Sequence, residues 1–590
     1  MAKKIGSARQ SQLVTTYGVG SVIPVEQSSY MVMGIDDWPE GAPRLDEPRL
    51  ARAMGVHHFC APPAGRRNGD IPVTRFPVMH YCPKCHRLGR LWELADDDST
   101  WCKRCEDTKL VPSRFVACCE RGHIEDFPYF AWVHRGAEPE DSGQRRHDLT
   151  LRALGRSSSL GDILVGCSCG VDPKSLAGAF GKQALIRYAS CRGRRPWLPT
   201  DDPEQCDKPL RTLQRGSSNV WFSATRSTIS IPPWSTAAAA LVEGQWATLQ
   251  HIADDVLPGV VASMTAHDPK VTAEAVLAVI ARRKGVYQAA PPTDAELRAD
   301  EYRALTVGTG PGDRLDDFVC EPRDVADVLS DVIEQVSAVD RLREVSALEG
   351  FSRVIPHVPG EDRPLAPLSD GSPMWLPAME IHGEGIFIRL REDVVASWEA
   401  SRFANDRVSI INRSKRRRDL ALERPESPPV AARRVALHTL SHMLLSELSL
   451  HAGYPAAALR ERVYAADGQT GILIYTASSD SAGSLGGLAA LAETDRFTPV
   501  LLAALDRAAW CSSDPVCAES RGAGLDNLNL AACHACLLLP ETSCEAANVF
   551  LDRIGVVGPA DSPDDGLLAG LGRGARVRAG RDAGLSENRG

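Results

Sequence analysis

Near its end the chain reads Asn529-Leu530-Ala531-Ala532-Cys533-His534-Ala535-Cys536-Leu537-Leu538-Leu539-Pro540-Glu541-Thr542-Ser543-Cys544. Together with Cys517, which comes shortly before, these thiols have a spacing that suits one tetrahedral Zn²⁺ ion. We therefore predict a metal site formed by Cys517, Cys533, Cys536 and Cys544. Cys511 competes with Cys517 for the fourth position, and Cys517 is favoured because the turn Asp514-Pro515 presents it. A closed Cys₄ site leaves no coordination position for catalysis, which predicts a structural role.

Length and composition indicate a multidomain globular protein. A chain of 590 residues is too long for one ordinary core, and 43% hydrophobic with 24% charged residues is typical of soluble proteins. The sequence contains neither a run of eighteen apolar residues nor an apolar segment near Met1, so we expect no membrane span, no secretion signal and a cytoplasmic location. Because the cytosol is reducing, the seventeen cysteines favour metal ligands over disulfides.

Two further cysteine clusters precede the C-terminal one. Cys82-Pro83-Lys84-Cys85 and Cys102-Lys103-Arg104-Cys105 have the spacing of a zinc ribbon. A looser set follows, and we predict it as a second zinc site: Cys167, Cys169, Cys191 and Cys206. Cys119 and His123 are also of ligand type, but the neighbouring ribbon already has four sulfurs, so this segment is predicted to cap the ribbon. The sequence therefore predicts about three structural Zn²⁺ ions.

The patterning along the chain predicts a mixed α+β multidomain fold. Helical periodicity runs through Ala237–Val256, Val271–Lys284 and Val325–Leu342, and again from Val430 to Leu450. The predicted segments are a β-rich N-terminal segment (1–75), a zinc-ribbon module (76–135), a second cysteine/zinc module (136–235), a helical block (236–350), a β-rich segment with a basic loop (351–429), an α/β domain ending in the Cys₄ module (430–555) and a disordered tail (556–590).

The charge pattern offers two candidate nucleic-acid contacts in a chain whose net charge is −9. Local basic stretches suit contact with phosphates, although such stretches are commonly solvated surface. Trp197 lies beside the first stretch and is an aromatic side chain able to stack on a base. The predicted nucleic-acid-binding residues are Arg192, Arg194, Arg195, Arg413, Lys415, Arg416, Arg417 and Arg418.

Catalytic motifs are incomplete. The nearest approach to a phosphate-binding loop, residues 178–183, lacks the leading glycine at the required spacing and has Gln183 in place of the hydroxyl ligand, so ATP hydrolysis is not predicted for this chain. Residues 483–488 are rich in glycine and are better explained by tight helix–strand packing than by phosphate binding. His438 and His442 have the spacing of a zinc-protease helix, but Thr439 replaces the glutamate that activates water, and packing is the favoured interpretation.

Several blocks in a fixed order resemble the DrmB family of DISARM anti-phage systems. They are Tyr17-Gly18-Val19-Gly20, Met31-Val32-Met33-Gly34-Ile35-Asp36-Asp37-Trp38-Pro39, Cys119-Glu120-Arg121-Gly122-His123-Ile124-Glu125-Asp126-Phe127-Pro128, Ser217-Ser218-Asn219-Val220, Ser230-Ile231-Pro232 and the C-terminal cysteine block. The last block also resembles the zinc-binding helicase-associated domain of MrfA-type helicases, assigned here to 430–555. The resemblance implies a non-catalytic accessory subunit that joins a DrmA-like superfamily-two helicase and helps to bind DNA. Two alternatives stay open: a zinc-dependent nuclease or hydrolase that uses His438 and His442, and a zinc adaptor that binds only protein.

Overall fold

The computed structural model describes residues 4–571, except 66–68, 97–98, 136–146, 156–158, 201, 267–270, 289, 310–315, 358–363, 422–424, 478–486 and 541. These residues form two compact units. The first unit contains 1–46, 54–226 and 346–379, and the second contains 47–53, 227–345 and 380–590. Residues 483–486, which belong to the glycine-rich stretch predicted to allow tight helix–strand packing, lie outside the described residues. Within the described ranges, no helix combines the length and the apolar character that a membrane crossing requires.

Short strands dominate the first part of the chain, and longer helices follow. The strands are β1 (Val22–Val25), β2 (Ser28–Val32), β3 (Arg44–Leu45), β4 (His58–Cys60), β5 (Val73–Arg75), β6 (Met79–Tyr81), β7 (Arg87–Arg90), β8 (Val111–Pro112), β9 (Phe115–Cys118), β10 (Ile124–Asp126), β11 (Leu149–Ala153), β12 (Ile163–Cys167), β13 (Lys174–Ser175), β14 (Arg211–Gln214), β15 (Phe222–Ile229), β16 (Val319–Arg323), β17 (Ile333–Ser352), β18 (Trp375–Leu390), β19 (Leu459–Tyr464) and β20 (Gly471–Thr476). The α-helices are α1 (Gln12–Thr15), α2 (Pro48–Ala53), α3 (Leu91–Leu94), α4 (Tyr129–Val133), α5 (Ala237–Leu249), α6 (Leu257–Thr265), α7 (Ala273–Gln288), α8 (Asp294–Val307), α9 (Glu392–Glu399), α10 (Arg402–Ala421), α11 (Ala432–Ala452), α12 (Thr494–Ala508) and α13 (Arg553–Val557).

Small sheets build the first unit. The largest has the order β13-β12-β11-β7-β6-β8, and two three-stranded sheets have the orders β10-β9-β14 and β1-β2-β5. Aromatic side chains fill the core beside the cysteine clusters, with Phe115, Phe127, Tyr129 and Trp132 almost fully buried. Arg353 is also fully buried, and its guanidinium donates to three backbone carbonyl oxygens at 2.5–2.7 Å. These three hydrogen bonds replace the water that the guanidinium loses on burial, so the buried cation is tolerated.

The second unit packs helices on strands of one sheet in the order β15-β17-β18-β20-β19, with β16 antiparallel beside β17. The central helix α11 was predicted from Val430 to Leu450 and is observed at Ala432–Ala452. It begins after Pro428-Pro429, which cannot lie inside a helix, and it ends at Gly453 with φ +73°, where glycine is favoured. Most of its side chains are buried in the main core.

The helical block is shorter than predicted. Helices α5 to α8 lie within the predicted range, but the helix predicted at Val325–Leu342 is wrong, because β17 occupies Ile333–Ser352. Ile333, Val336, Val339 and Leu342 follow one another at three-residue steps and so imitate a helical period. Both faces of this strand are largely buried, which removes the alternation that would have identified it.

The basic segment is helical, and the predicted basic loop is therefore wrong. Arg413, Lys415, Arg416, Arg417 and Arg418 all lie in α10. Long unbranched cationic side chains are good helix formers. On the side of this helix opposite Arg413, Arg416 and Arg417, Ile411 is fully buried against Val435 and Leu530, so packing fixes the helix in place.

The predicted disordered tail, residues 556–590, begins too early in the chain. Val556, Leu567, Leu568 and Leu571 are buried in the main core of the second unit, so the ordered chain continues to at least residue 571. The remainder of the predicted tail, residues 572–590, lies outside the described residues. Three leucines within five residues provide the apolar area that an otherwise small-residue segment lacks.

A buried ionic network joins β19 to α8 in the second unit. Arg462 is fully buried and donates to Glu301 at 2.8 Å and to Glu344 at 3.2 Å. Glu301 also accepts hydrogen bonds from the Thr228 hydroxyl and the Ile229 amide. Burial raises the pKa of Glu301, but the nearby guanidinium groups outweigh burial and hold that pKa below its ordinary value.

Replacing Arg462 with alanine is expected to destabilise the second unit by about 3–5 kcal/mol, because Glu301 would remain buried without the guanidinium that donates to it, and Glu344 would keep only Arg460, at 3.0 Å. The shift of the urea unfolding midpoint, followed by circular dichroism, measures this loss. Arg303→Ala is the matched control, since Arg303 lies on α8 but is exposed and pairs with Asp300 at 3.0 Å. Equal midpoints for both variants would contradict a stabilising role of the network.

Candidate metal centres

Among the described residues, five groups of ligand-type side chains have donor atoms within 4.8 Å of one another. Two groups contain four cysteines each, and three contain histidine. They are the ribbon site (Cys82, Cys85, Cys102, Cys105), the hairpin site (Cys119, His123, Cys191, Cys206), the helix–strand site (His134, His147, Cys167, Cys169), the terminal site (Cys511, Cys517, Cys533, Cys536) and the buried histidine site (His438, His442, Glu461, Cys544). All seventeen cysteines lie in the described residues, and no disulfide joins any two of them.

The ribbon site is built by two similar turns. Cys82 and Cys85 lie between β6 and β7, and the amide of His86 donates to the carbonyl of Cys82 at 2.8 Å. In the second turn the amide of Glu106 donates to the carbonyl of Cys102 at 2.7 Å. His86 and Glu106 follow the second cysteine of each turn and have φ angles of +61° and +62°. The repeated backbone geometry turns all four sulfurs to one point.

Sulfur separations provide the test of whether these groups fit zinc. Four sulfurs at about 2.3 Å from an ion stand about 3.8 Å apart in a tetrahedron. In the ribbon site the separations Cys82–Cys105 and Cys85–Cys102 are both 3.8 Å. In the terminal site Cys533 lies 3.6 Å from Cys511 and 3.7 Å from Cys536. Both donor sets therefore fit structural Zn²⁺.

The hairpin site forms where the turn between β9 and β10 meets an irregular segment. Cys119 and His123 lie in the turn, and His123 Nδ1 is 3.3 Å from Cys119 Sγ and 3.5 Å from Cys191 Sγ. These values suit a tetrahedral edge between sulfur and nitrogen of about 3.6 Å. His123 Nε2 lies 2.8 Å from a carboxylate oxygen of Glu204. A carboxylate on the outer nitrogen orients a histidine toward a metal, so Nδ1 is the ligand atom.

Gly193 permits the close approach that closes the hairpin site. It has φ +65°, and a Cβ at this position would meet the carbonyl oxygen of Glu204 at 1.8 Å. A side chain would therefore push apart the segments that carry Cys191 and Cys206. The amide of Gly193 also donates to Cys191 Sγ at 3.4 Å.

The helix–strand site joins the end of α4 to the end of β12. His134 Nδ1 donates to the carbonyl of Phe130 at 2.8 Å, which leaves Nε2 as the acceptor nitrogen 3.3 Å from Cys169 Sγ. His147 Nδ1 is 3.4 Å from Cys167 Sγ. Two imidazoles and two thiols in this arrangement form a Cys₂His₂ donor set.

An ion pair between the buried Arg553 and the partly buried Asp514 supports the terminal site. Asp514 accepts hydrogen bonds from the amides of Cys511 and Ala518 at 2.9 and 3.0 Å, which fixes the turn carrying Cys511 and Cys517. Arg553 is fully buried and donates to Asp514. Its guanidinium also donates to the carbonyl of Ala508 at 3.0 Å, so the end of α12 is tied to the same turn.

The buried histidine site is enclosed. His438 and His442 occupy successive turns of α11, Glu461 lies on β19, and all four side chains, including Cys544, are buried. His438 Nε2 is 3.1 Å from Cys544 Sγ and 3.0 Å from Glu461 Oε1. No exposed ligand position is present among these four side chains, so the geometry does not favour a hydrolytic centre.

The ribbon, hairpin, helix–strand and terminal sites are the four cysteine-rich sites. One thiol in each of them has a lowered pKa. Burial raises the pKa of Cys82 and Cys533, but hydrogen bonds from backbone amides and neighbouring thiols outweigh it and lower each value to about 7. A hydrogen bond from Cys191 is the main cause that lowers the pKa of Cys119 to about 4. A backbone amide is the main cause that lowers the pKa of Cys169 to about 6. The thiolate is the form that binds zinc.

The structure regroups two of the three predicted donor sets. It brings the predicted ribbon cysteines together, but it separates Cys167 and Cys169 from Cys191 and Cys206. The second predicted set combined the cysteine pairs of two different sites, because the histidines that complete each site were not recognised. The spacing of Cys119 and His123 was a signal for the hairpin site, whereas His147 and Glu461 stand in no motif that would have identified them.

The C-terminal set is also different from the prediction. Cys511 and Cys517 are both ligand-type members of the terminal site, together with Cys533 and Cys536. Cys544 does not belong there, because the chain turns after Leu537 and places its sulfur beside His438. The sequence therefore predicted the presence of this module and three of its four cysteines.

The predicted nucleic-acid residues have contrasting surroundings. Arg192 pairs with Glu125, and Arg195 lies 3.8 Å from Glu204, so both support the segment around the hairpin site. Arg194 is exposed. Trp197 is fully buried and donates to the carbonyl of Pro367 at 2.9 Å, so the predicted stacking role is wrong.

Of the two predicted basic stretches, the one on α10 is the more exposed to solvent. Arg413, Arg416 and Arg417 are exposed, and Arg416 and Arg417 come three and four residues after Arg413, which places both beside Arg413 on one face of the helix. Lys415 donates to the carbonyl of Pro428 at 2.8 Å. Arg418 is mostly buried beside Asp526 at 2.9 Å.

Comparison with known proteins shows similarity along most of the chain. The DISARM protein DrmB of Bacillus paralicheniformis is 30% identical over 574 residues, which cover 92% of this chain and 99% of that protein. Residues 440–537 match the MrfA Zn-binding domain, a range that includes all four cysteines of the terminal site. Residues 9–222 match a domain of unknown function, DUF8724, which includes the three sites of the first unit.

Single histidine replacements distinguish the observed grouping from the predicted one. We expect His123→Ala and His134→Ala each to remove one Zn²⁺ per chain, because each breaks a separate site. Inductively coupled plasma mass spectrometry of the purified chain measures the content. Cys118→Ser is the control, since Cys118 is buried beside Cys119 but belongs to none of the five groups. Full zinc content in both histidine variants would support the predicted all-cysteine set instead.

Proposed function

Because this chain belongs to the DrmB family of DISARM proteins, we propose that it is a non-catalytic subunit of an anti-phage defence complex. In this complex it partners a DrmA-like superfamily-two helicase and contributes to DNA binding. The similarity to DrmB over nearly the whole length of both chains is the observation that carries the proposal. The C-terminal cysteine block resembles the zinc-binding domain of MrfA-type helicases. The match to the MrfA Zn-binding domain therefore supports association with a helicase.

The described residues support a non-catalytic role. Residues 178–188 form turns and do not begin a helix, whereas a phosphate-binding loop presents its amides at a helix N-terminus. The four cysteine-rich sites use protein side chains for all four positions, so they have no place for a metal-bound water. ATP hydrolysis in the complex is therefore assigned to the helicase.

We place the DNA contact on the basic face of α10. Arg413, Arg416 and Arg417 provide three exposed guanidinium groups on a helix that is anchored through Ile411. A rigid row of this kind suits phosphates, which Arg binds with two parallel hydrogen bonds. Arg192, Arg194, Arg195, Lys415 and Arg418 stay predictions as secondary contacts. A cytoplasmic location belongs to the same proposal, because zinc–thiolate sites suit a reducing compartment.

Replacing Arg413, Arg416 and Arg417 together with alanine is expected to weaken DNA binding by the complex and to reduce its salt dependence. At about 0.9 for each phosphate contact, the slope of log Kd against log salt falls by about 2.7. Fluorescence anisotropy titrations of the variant complex with a labelled duplex at several salt concentrations give this slope.

Arg402→Ala is the matched control, because Arg402 lies on the same helix, is 94% exposed and pairs with Asp406. Its slope is expected to equal that of the parent complex. An unchanged slope in the triple variant would exclude this face as the DNA contact. If the parent complex bound DNA no better than the helicase by itself, the zinc adaptor that binds only protein would be favoured.

Co-expression with the neighbouring helicase tests the division of labour. We expect the two chains to co-purify, and we expect ATP turnover to vanish when the lysine of the helicase phosphate-binding loop is replaced by alanine. The purified chain by itself is expected to show no turnover. ATP hydrolysis by this chain alone, in a preparation whose metal content is intact, would contradict a non-catalytic role.

A further inference from the structure

The buried histidine site contains polar atoms that lack hydrogen-bond partners. His442 Nε2 and Glu461 Oε1 are fully buried and accept or donate no hydrogen bond within the described residues. The two atoms are nevertheless only 3.4 Å apart, and His438 Nε2 is 3.0 Å from the same oxygen. Buried polar atoms without partners cost several kcal/mol on the scale of water-to-apolar transfer. Their convergence on one point calls for a group that is not among these side chains.

The outer hydrogen bonds decide which nitrogen faces inward. His442 Nδ1 lies 2.9 Å from the carbonyl oxygen of Leu537, and because a carbonyl only accepts, Nδ1 carries the proton. The neutral ring therefore directs the lone pair of Nε2 toward the Glu461 carboxylate. Two electron-rich atoms facing each other repel unless a proton or a metal cation lies between them.

A proton satisfies this arrangement less well than a metal ion. One added proton on His442 leaves His438 and Cys544 without a shared partner, and two imidazolium rings with centroids 4.6 Å apart would repel each other. One divalent ion interacts with all four inward atoms at once. Glu461 Oε2 accepts from the Ser441 hydroxyl, which leaves Oε1 as the inward oxygen. Cys544 Sγ accepts from the amides of Ala546 and Asn548 at 3.4 and 3.2 Å, as a thiolate ligand does.

We propose that His438 Nε2, His442 Nε2, Glu461 Oε1 and Cys544 Sγ bind one divalent transition-metal ion of the zinc class. Two imidazoles, one carboxylate and one thiolate in four-coordinate geometry suit Zn²⁺, and the hard cations Mg²⁺ and Ca²⁺ are disfavoured by the nitrogen and sulfur donors. Because all four ligands are buried, the ion has a structural role. His442 and Glu461 lie within the range that matches the MrfA Zn-binding domain, whereas His438 and Cys544 lie outside it.

The position of this centre gives it a specific task in the second unit. It joins the middle of α11, strand β19 and the irregular segment that carries Cys544. The same segment begins with Cys533 and Cys536 of the terminal site, and its Leu537 orients His442. The chain from 533 to 544 is therefore held at both ends by different metal centres.

The test measures metal content and spectra of the full chain. We expect His442→Gln and Glu461→Gln each to lose one metal ion per chain while retaining the ions of the cysteine-rich sites. Native mass spectrometry counts the ions on intact folded chains. His451→Gln on the same helix and Cys320→Ser in the same unit are matched controls, since neither residue belongs to a cluster. Unchanged metal content in both site variants would overturn the proposal and leave a hydrogen-bonded polar core.

A second measurement needs no variant, and so remains decisive if the substitutions prevent folding. Loading the parent chain with ¹¹³Cd gives one nuclear magnetic resonance line for each centre, and the line is more shielded when fewer sulfurs bind. The proposal predicts a line more shielded than that of the two-sulfur helix–strand site, because only Cys544 supplies sulfur here. A spectrum whose most shielded line belongs to a site with two sulfurs would overturn it.

Discussion

Sulfur atoms that converge inside a protein need a cation between them. In the ribbon and terminal sites the thiols stand 3.6–3.8 Å apart, which is the edge of a tetrahedron around zinc. Without the ion, thiolates at this distance repel and neutral thiols make weak hydrogen bonds. A structural zinc ion contributes about 10–16 kcal/mol of binding free energy, which is comparable to the whole stability of a typical domain, about 5–15 kcal/mol.

This constraint acts differently in the two units. In the first unit the ribbon site has a small apolar cluster of its own, made of Leu94, Ala95 and Leu110 with the cysteines, so the metal must provide much of the order. The second unit has an extensive core around α11 that orders its helices and sheet. There the cysteine donors lie on irregular segments beside that core, whereas His438, His442 and Glu461 lie on α11 and β19. Metal binding would fix the irregular segments to these regular elements.

Local chemistry was predictable from the sequence, and tertiary pairing was not. The ribbon knuckles could be recognised because each pair of cysteines sits in one turn, and the resemblance to the DrmB family is confirmed by the 30% identical relative. The grouping of Cys167 with Cys191 failed because each needs a distant histidine, and His134 is brought to Cys169 only by the packing of α4 on β12. Likewise, β17 was mistaken for helix because burial on both faces hides the period of a strand.

The family and the architecture together agree with the proposed role of a defence subunit that presents surfaces to its partners. Metal centres hold irregular segments in place, and α10 presents a basic face. We infer that five separate donor sets, and not three, bind metal. An anomalous difference map from crystals of the full chain, with data collected above the zinc absorption edge, distinguishes the two numbers. We expect a peak within bonding distance of the donor atoms of each of the five groups. Three peaks, one of them surrounded by Cys167, Cys169, Cys191 and Cys206, would contradict it.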